Sequence, residues 1–148
     1  MGYKIKDNSM KVAIVGDRDV TDYSMIEKAV KQSGFEITEV VSGGAKGVDS
    51  LAVRWAQDNG IPYIEFKADW NDIYAAGAII KTNKWGRKYN ANAGFARNSK
   101  IVNYAEAVIA IQPNGPTSGT QDTVKKTKKA KKPLHQYEKE DSDYEYQF

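Results

Sequence analysis

A β-rich run, Ile37-Thr38-Glu39-Val40-Val41, passes directly into Ser42-Gly43-Gly44-Ala45-Lys46-Gly47-Val48-Asp49. The chain then continues as Ser50-Leu51-Ala52-Val53-Arg54-Trp55-Ala56, a helical pattern. Three glycines fall within five residues of this loop. Glycine admits backbone conformations and close approaches that a Cβ blocks. A strand–glycine loop–helix unit presents free N–H groups at a helix N-terminus, where the dipole favours an anion. The same glycines also suit a plain tight turn from strand to helix, so the loop has to be read together with its counterparts elsewhere in the chain.

Around that unit, short apolar runs alternate with helical patterns. Lys11-Val12-Ala13-Ile14-Val15 reads as a buried strand ending at Gly16. Thr21 or Asp22 caps a helix with Met25, Ile26, Ala29 and Val30 on one face, stopped by Gly34. Ile37–Val41 is the second strand. A helix from about Asp49 ends near Asn59-Gly60, and Pro62–Phe66 is a third strand. Residues 67–90 form a long excursion with room for a short helix, and such excursions in compact domains are often functional. A helix over about 93–104, a strand over Ala107–Ile111, a Gly/Pro loop over 112–119, a helix over about 120–131 and a last strand over 133–137 complete the order. Hairpin signals are absent. The alternation predicts an α/β fold, a Rossmann-like parallel sheet with helices on both faces, in one domain over 11–137. Residues 1–10 are expected to be a flexible arm and 138–148 an acidic tail.

Composition narrows the chemistry. With no cysteine among 148 residues, disulfides and thiolate metal sites are excluded. The single histidine, His135, excludes a His-cluster metal site and argues against a Ser-His-Asp triad. No apolar run approaches the ~20 residues of a membrane span. Met1-Gly2-Tyr3-Lys4 begins a polar stretch rather than a leader, and Lys6 stands where myristoylation would want Ser or Thr. No membrane partner and a cytoplasmic location are therefore expected. Net charge is +3, with Lys125, Lys126, Lys128, Lys129, Lys131 and Lys132 in one run and Glu138, Glu140, Asp141, Asp143 and Glu145 near the end. Such a run either meets phosphates or forms a solvated helix face.

Ligands of parallel sheets sit outside the carboxyl ends of the strands. Three loops are expected there: Gly16-Asp17-Arg18-Asp19, Ser42–Asp49, and Pro113-Asn114-Gly115-Pro116-Thr117-Ser118-Gly119-Thr120. A fourth element, Gly94-Phe95-Ala96-Arg97-Asn98, opens the helix before the fourth strand.

These pieces together resemble the SLOG superfamily of Smf/DprA and LOG proteins, nearest to its small bacterial and phage YspA/YpsA-like branch. The resemblance rests on Gly16-Asp17-Arg18 with Asp22, and on Gly43-Gly44-Ala45-Lys46-Gly47-Val48-Asp49 with Ala52, Trp55 and Ala56. It continues through Ala68-Asp69-Trp70, Arg97-Asn98, Ala107–Ile111, and Gly115 with Gly119-Thr120. It implies a pocket for a nucleotide or nucleotide-derived ligand, and pairing into a homodimer or a higher even homo-oligomer.

With that resemblance, Gly16, Ser42, Gly43, Gly44, Ala45 and Gly47 are expected to shape or cradle a phosphate or ribose site, with Lys46 adding charge. Asp49 serves as helix N-cap or ribose-hydroxyl acceptor. Arg18 and Arg97, the latter with Asn98, are candidates to hold a phosphate, since a guanidinium pairs bidentately with phosphate oxygens. Gly115, Thr117, Ser118, Gly119 and Thr120 form a second phosphate nest, with Thr120 also able to cap the following helix. Asp69 and Trp70 would wall the pocket, Trp55 belongs to the core, and Trp85 and Tyr89 would make a lid or a subunit contact.

LOG enzymes carry a Pro-Gly-Gly-x-Gly-Thr-x-x-Glu pattern whose glutamate acts in catalysis. Here that position is Thr123, and Asp122 is one residue away, about 100° around a helix. No catalytic residue is assigned, although Asp122, Asp17 or Asp69 could supply a carboxylate. Three functions stay open: a nucleotide-ligand sensor or sequestering protein (in a phage, acting on a host nucleotide signal), a LOG-like nucleotide N-glycosidase, and a DprA-like single-stranded nucleic-acid binder. The expected ligand is a nucleotide or nucleotide derivative, with no metal.

Overall fold

Apolar side chains along the first strand, β1 (Ser9–Gly16), divide between two faces: Val12 and Ile14 enter one buried cluster, Ala13 and Val15 the other. That period of two is the geometry of a strand buried on both sides. The computed structural model describes residues 9–140. Helix α1 (Tyr23–Ser33), strand β2 (Glu36–Ser42), helix α2 (Val48–Asp58) and strand β3 (Tyr63–Glu65) follow β1. A hairpin of β4 (Ile80–Thr82) and β5 (Lys88–Asn90) comes next, then α3 (Ala93–Tyr104), β6 (Ala107–Ile111), α4 (Ser118–Lys129) and β7 (Leu134–Gln136).

Five strands form one parallel sheet in the order β3-β2-β1-β6-β7. Helices α1 and α2 cover one face through Ile26, Ala29, Val48, Ala52 and Ala56; α3 and α4 cover the other through Ile101 and Val124. This is the expected α/β architecture. Trp55 packs at the edge of the first cluster, as core. The chain winds outward from β1 to β3 and returns on the other side of β1 at β6. The carboxyl ends of β1 and β6 therefore flank a topological switch point, where open sheets bind ligands.

Local chemistry explains the element ends. Asp22 rather than Thr21 caps α1: its carboxylate accepts from the Ser24 backbone N–H at 2.9 Å. Gly34 closes that helix in the left-handed region at φ 71.

Several boundaries differ from the sequence reading. β1 starts at Ser9, so residues 9 and 10 of the expected arm are strand; residues 1–8 lie outside the described residues, as do Asp141, Asp143 and Glu145 of the acidic tail. Helix α4 starts at Ser118 and ends at Lys129. The excursion holds an antiparallel hairpin rather than a short helix, and the parallel-only reading is corrected at this point. Its three-residue strands are mostly exposed and carry no apolar alternation, so periodicity could not reveal them. Asn90, buried at its root, holds it: Oδ1 accepts from Ile79 N and Asn92 N, and Asn90 N donates to Trp70 O.

Candidate ligand-binding cleft

The β1 loop, the glycine loop, the α4 entry loop and the first turns of α3 surround a cleft of about 590 Å³. Of the residues singled out from sequence, Gly16, Arg18, Ala45, Asp49, Trp70, Arg97, Asn98, Gly115, Thr117, Ser118, Gly119 and Thr120 line it. Ser42, Gly43, Gly44, Lys46, Gly47 and Asp69 do not.

The reason lies in what each glycine touches. A Cβ on Gly47 would stand 2.3 Å from the Asp17 carbonyl oxygen, and the residue sits at φ 72. Gly47 therefore lets the glycine loop seat against the β1 loop, and Val48 N donates to Asp17 O across the same junction at 3.0 Å. A Cβ on Gly43 would lie 2.7 Å from both an Arg97 guanidinium nitrogen and an Asp49 carboxylate oxygen. At Gly44 it would meet the Lys67 side chain. The N–H groups of Gly44 and Ala45 are also taken, by Ser42 Oγ at 3.2 Å and Asp49 Oδ2 at 3.1 Å. In place of the expected phosphate cradle, Gly43, Gly44 and Gly47 pack the loop against its neighbours, and the loop offers Ala45 and Asp49 to the cleft. Lys46 is exposed outside it. Asp69 serves its own turn by accepting from Asn71 N.

Nor is Asp49 the helix cap. Gly47 occupies that position, and Asp49 turns back to the loop from the first turn of α2. Its carboxyl is raised to about 6, chiefly by burial; the Ala45 N–H bond and the charges of Arg97 and Arg18 act in the opposite direction. Asp17 is also raised, again mainly by burial; the hydroxyl bond from Thr117 Oγ1 at 3.5 Å opposes the shift, and Asp19 adds repulsion.

Arg97 and Asn98 stand on the second turn of α3 rather than opening it. Arg97 donates from Nη1 to the Gly43 carbonyl and from Nε to Asn98 Oδ1 at 3.0 Å. Asn98 Nδ2 then donates to Gly119 O and to Asp122 Oδ2, each at 3.1 Å. One chain of hydrogen bonds thereby joins the glycine loop to the start of α4. Arg18 differs: it is exposed, lines the cleft, and among the described residues forms no salt bridge with Asp22 or Asp49.

Helix α4 supplies the open donors. Thr117, not Thr120, is its N-cap and makes no side-chain capping bond. Gln121 N is the first to bond back, to Thr117 O at 2.9 Å. The N–H groups of Ser118, Gly119 and Thr120 therefore have no partner within the helix, as in any first turn, and these residues line the cleft. A Cβ on Gly119 would meet nothing within 4 Å.

Thr123 lines the cleft, whereas Asp122 does not. Asp122 is turned toward α3, held by Asn98 and by Lys126 Nζ at 2.6 Å. It is withdrawn as a source of a catalytic carboxylate. Four lysines of the run, Lys125, Lys128, Lys129 and Lys131, are exposed; Lys132 caps the C-terminal carbonyls of α3. Sequence reasoning undervalued Asp17 and Phe95, both cleft-lining. Their signal was position alone, one loop after a strand end and one helix start. Trp85 stands outside the cleft, 78% exposed at the hairpin tip.

The switch-point cleft on a five-stranded parallel sheet is that of a Rossmann-type α/β domain, and comparison with known proteins shows what it is similar to. The YspA, cpYpsA-related SLOG family profile matches residues 10–72, from β1 to the segment just past Trp70. Over that stretch the sequence is similar to this family, in line with the resemblance read from the motifs. No curated protein matches the sequence. Among solved structures, DNA processing protein A (DprA) from Streptococcus pneumoniae aligns at TM-score 0.60 and 23% identity, over 85% of this chain and 49% of that one. DprA from Helicobacter pylori, described for its single-stranded DNA binding mode, aligns at TM-score 0.54 and 25% identity, over 86% and 64%. The structural-genomics protein TM1055 aligns at 0.54 and 19%, over 84% and 71%. The chain thus spans about half the length of the S. pneumoniae protein. Among the described residues no helix is long and apolar enough to cross a membrane.

Proposed function

We propose that the cleft binds a nucleotide or nucleotide-derived ligand, with its phosphate on the α4 N-terminus beside Arg18. The observation that carries this is Gly119: open N–H groups surround it, and no neighbour needs its missing side chain. A glycine packed against nothing, at a helix N-terminus inside a cleft, leaves room for a close-approaching anion. Asp17 and Asp49 suit ribose hydroxyls, which can donate to carboxylates, and Trp70 suits a base.

We propose binding without fast turnover, because Thr123, at the motif position of the LOG glutamate, lines the cleft and carries no carboxylate. Calorimetric titration of nucleoside monophosphates against their nucleosides tests the reading. The phosphorylated form should bind at least tenfold tighter, and mass spectrometry of heat-released small molecules identifies any ligand carried through purification. Equal affinity for both forms would sink it. A second reading, single-stranded nucleic-acid binding, is supported by the likeness to the H. pylori DprA structure.

A further inference from the structure

Between Asp72 and Glu106 the chain holds no acidic residue, yet it carries Lys81, Lys84, Arg87, Lys88, Arg97 and Lys100. Four of these six cations sit on the β4–β5 hairpin, all exposed, and none is ion-paired among the described residues. The hairpin tip carries Trp85 with 78% of its surface in solvent and the Lys84 ammonium 4.6 Å from the ring centre. So exposed an indole, set among cations, buries little surface in the fold. The tip is nonetheless ordered: Asn83 Oδ1 accepts from Trp85 N at 2.9 Å and Arg87 N at 3.0 Å, and Gly86 makes the turn at φ 80. Its root is the cleft wall, since Asn90 N donates to the carbonyl of Trp70, which lines the cleft.

We propose that this hairpin is a platform for single-stranded nucleic acid: Trp85 stacks on an unpaired base while Lys81, Lys84, Arg87 and Lys88 neutralise the phosphates. The inference deepens the single-stranded reading given above and rests on it. The ligand chemistry follows from the composition of the surface. A row of cations without ion-pair partners selects a polyanion, and an exposed indole selects flat aromatic groups. A duplex keeps its bases stacked inside, so only an unpaired strand supplies both. Continuity with the cleft lets a strand run from the hairpin tip toward the α4 N-terminus.

The test is fluorescence titration of the full chain with a labelled oligothymidylate of about 20 nucleotides, at about 50 and 200 mM salt. Trp85→Ala should weaken binding about tenfold or more, and Trp85→Phe should restore most of it, because stacking is the lost contribution. Lys84→Gln with Arg87→Gln should flatten the log–log salt slope by about 1.4, from ~0.7 per single-strand phosphate contact. These positions are exposed, so melting temperatures should not move. Failure to bind the oligonucleotide at all would overturn this proposal and the single-stranded reading together. Tight binding that neither variant alters would overturn the hairpin assignment alone. Equal affinity for duplex DNA, or binding to phosphatidylserine vesicles in place of the oligonucleotide, would also overturn it.

Discussion

Gly119→Val should separate folding from binding at a single position. Gly119 lies in the first turn of α4, and a Cβ there meets nothing within 4 Å. Its carbonyl keeps the bond from Asn98 Nδ2, since that bond involves backbone. Valine is a few tenths of a kcal/mol better than glycine in a helix, so Tm should shift by no more than about 2 °C. Binding should respond differently. The new methyl groups stand over the open N–H groups of Ser118 and Thr120 and displace a phosphate from them. Losing one charge-assisted hydrogen bond costs about 1.5–3 kcal/mol, so affinity for a nucleoside monophosphate should fall roughly tenfold to a hundredfold. Gly47→Val is the control of opposite character. Its Cβ would be driven to 2.3 Å from a carbonyl oxygen at φ 72, which should cost on the order of 3 kcal/mol in strain and overpacking and lower the Tm. Calorimetry and thermal denaturation on both variants read the two quantities. Wild-type affinity in a Gly119→Val protein of unchanged Tm would refute the phosphate seat on α4.

The two arginines should behave unequally. Arg18→Ala should weaken a nucleotide more than its nucleoside with no change in Tm, whereas Arg97→Ala should lower the Tm as well, because Gly43 O and Asn98 lose their partner; identical melting of the two variants would contradict the network. Asp49 has its folded pKa raised from 3.8 to about 6. Between those values the folded state holds the extra proton, so the contribution of Asp49 to stability falls as pH rises through that window and stays low above it. Urea denaturation of wild type and Asp49→Asn at pH 4 and 7 should show the variant gaining about 2 kcal/mol relative to wild type over that interval. A pH-independent difference would rule out a raised Asp49. Incubation with nucleoside monophosphates should release no free base at rates near the ~1–1000 per second of ordinary enzymes; chromatographic detection of rapid release would restore the glycosidase reading. Lys128→Glu with Lys129→Glu should leave nucleotide affinity within about twofold, because charges beyond a Debye length of ~8 Å are screened; a larger loss in the same titration would bring the lysine run into the site.

Features decided by neighbours along the chain were legible in the order of the residues alone. The apolar run Val12–Val15, a cap at Thr21 or Asp22 and the Gly34 stop each need only a few adjacent residues, and they carry the succession of strands and helices along the chain. Features decided by contacts between distant segments were not. Nothing local says that Gly43 packs on a guanidinium 54 positions away, so its glycine looked like part of a ligand cradle. Gly47 and Gly119 are indistinguishable as letters; only the presence of Asp17 O beside one and empty space beside the other assigns them different roles. The hairpin escaped for another reason. Its strands are short and solvated, and the residue that fixes it, Asn90, acts through side-chain bonds to Ile79 and Asn92 that no hydrophobic period encodes.

The bond chain from Gly43 through Arg97 and Asn98 to Gly119 has a consequence for how the free protein exchanges its amide hydrogens. The rim on the glycine-loop side is closed before any ligand arrives, since Ala45 N is already bonded to Asp49 and Gly44 N to Ser42. Those two amides should exchange slowly in the empty protein and change little on binding. The amides of Ser118, Gly119 and Thr120 face the cleft from the same tied frame without an acceptor from their own helix. They should exchange quickly until an anion takes them, and then slow together. A ligand would therefore be registered as protection appearing on three consecutive residues of one helix, while the other side of its own site stays silent.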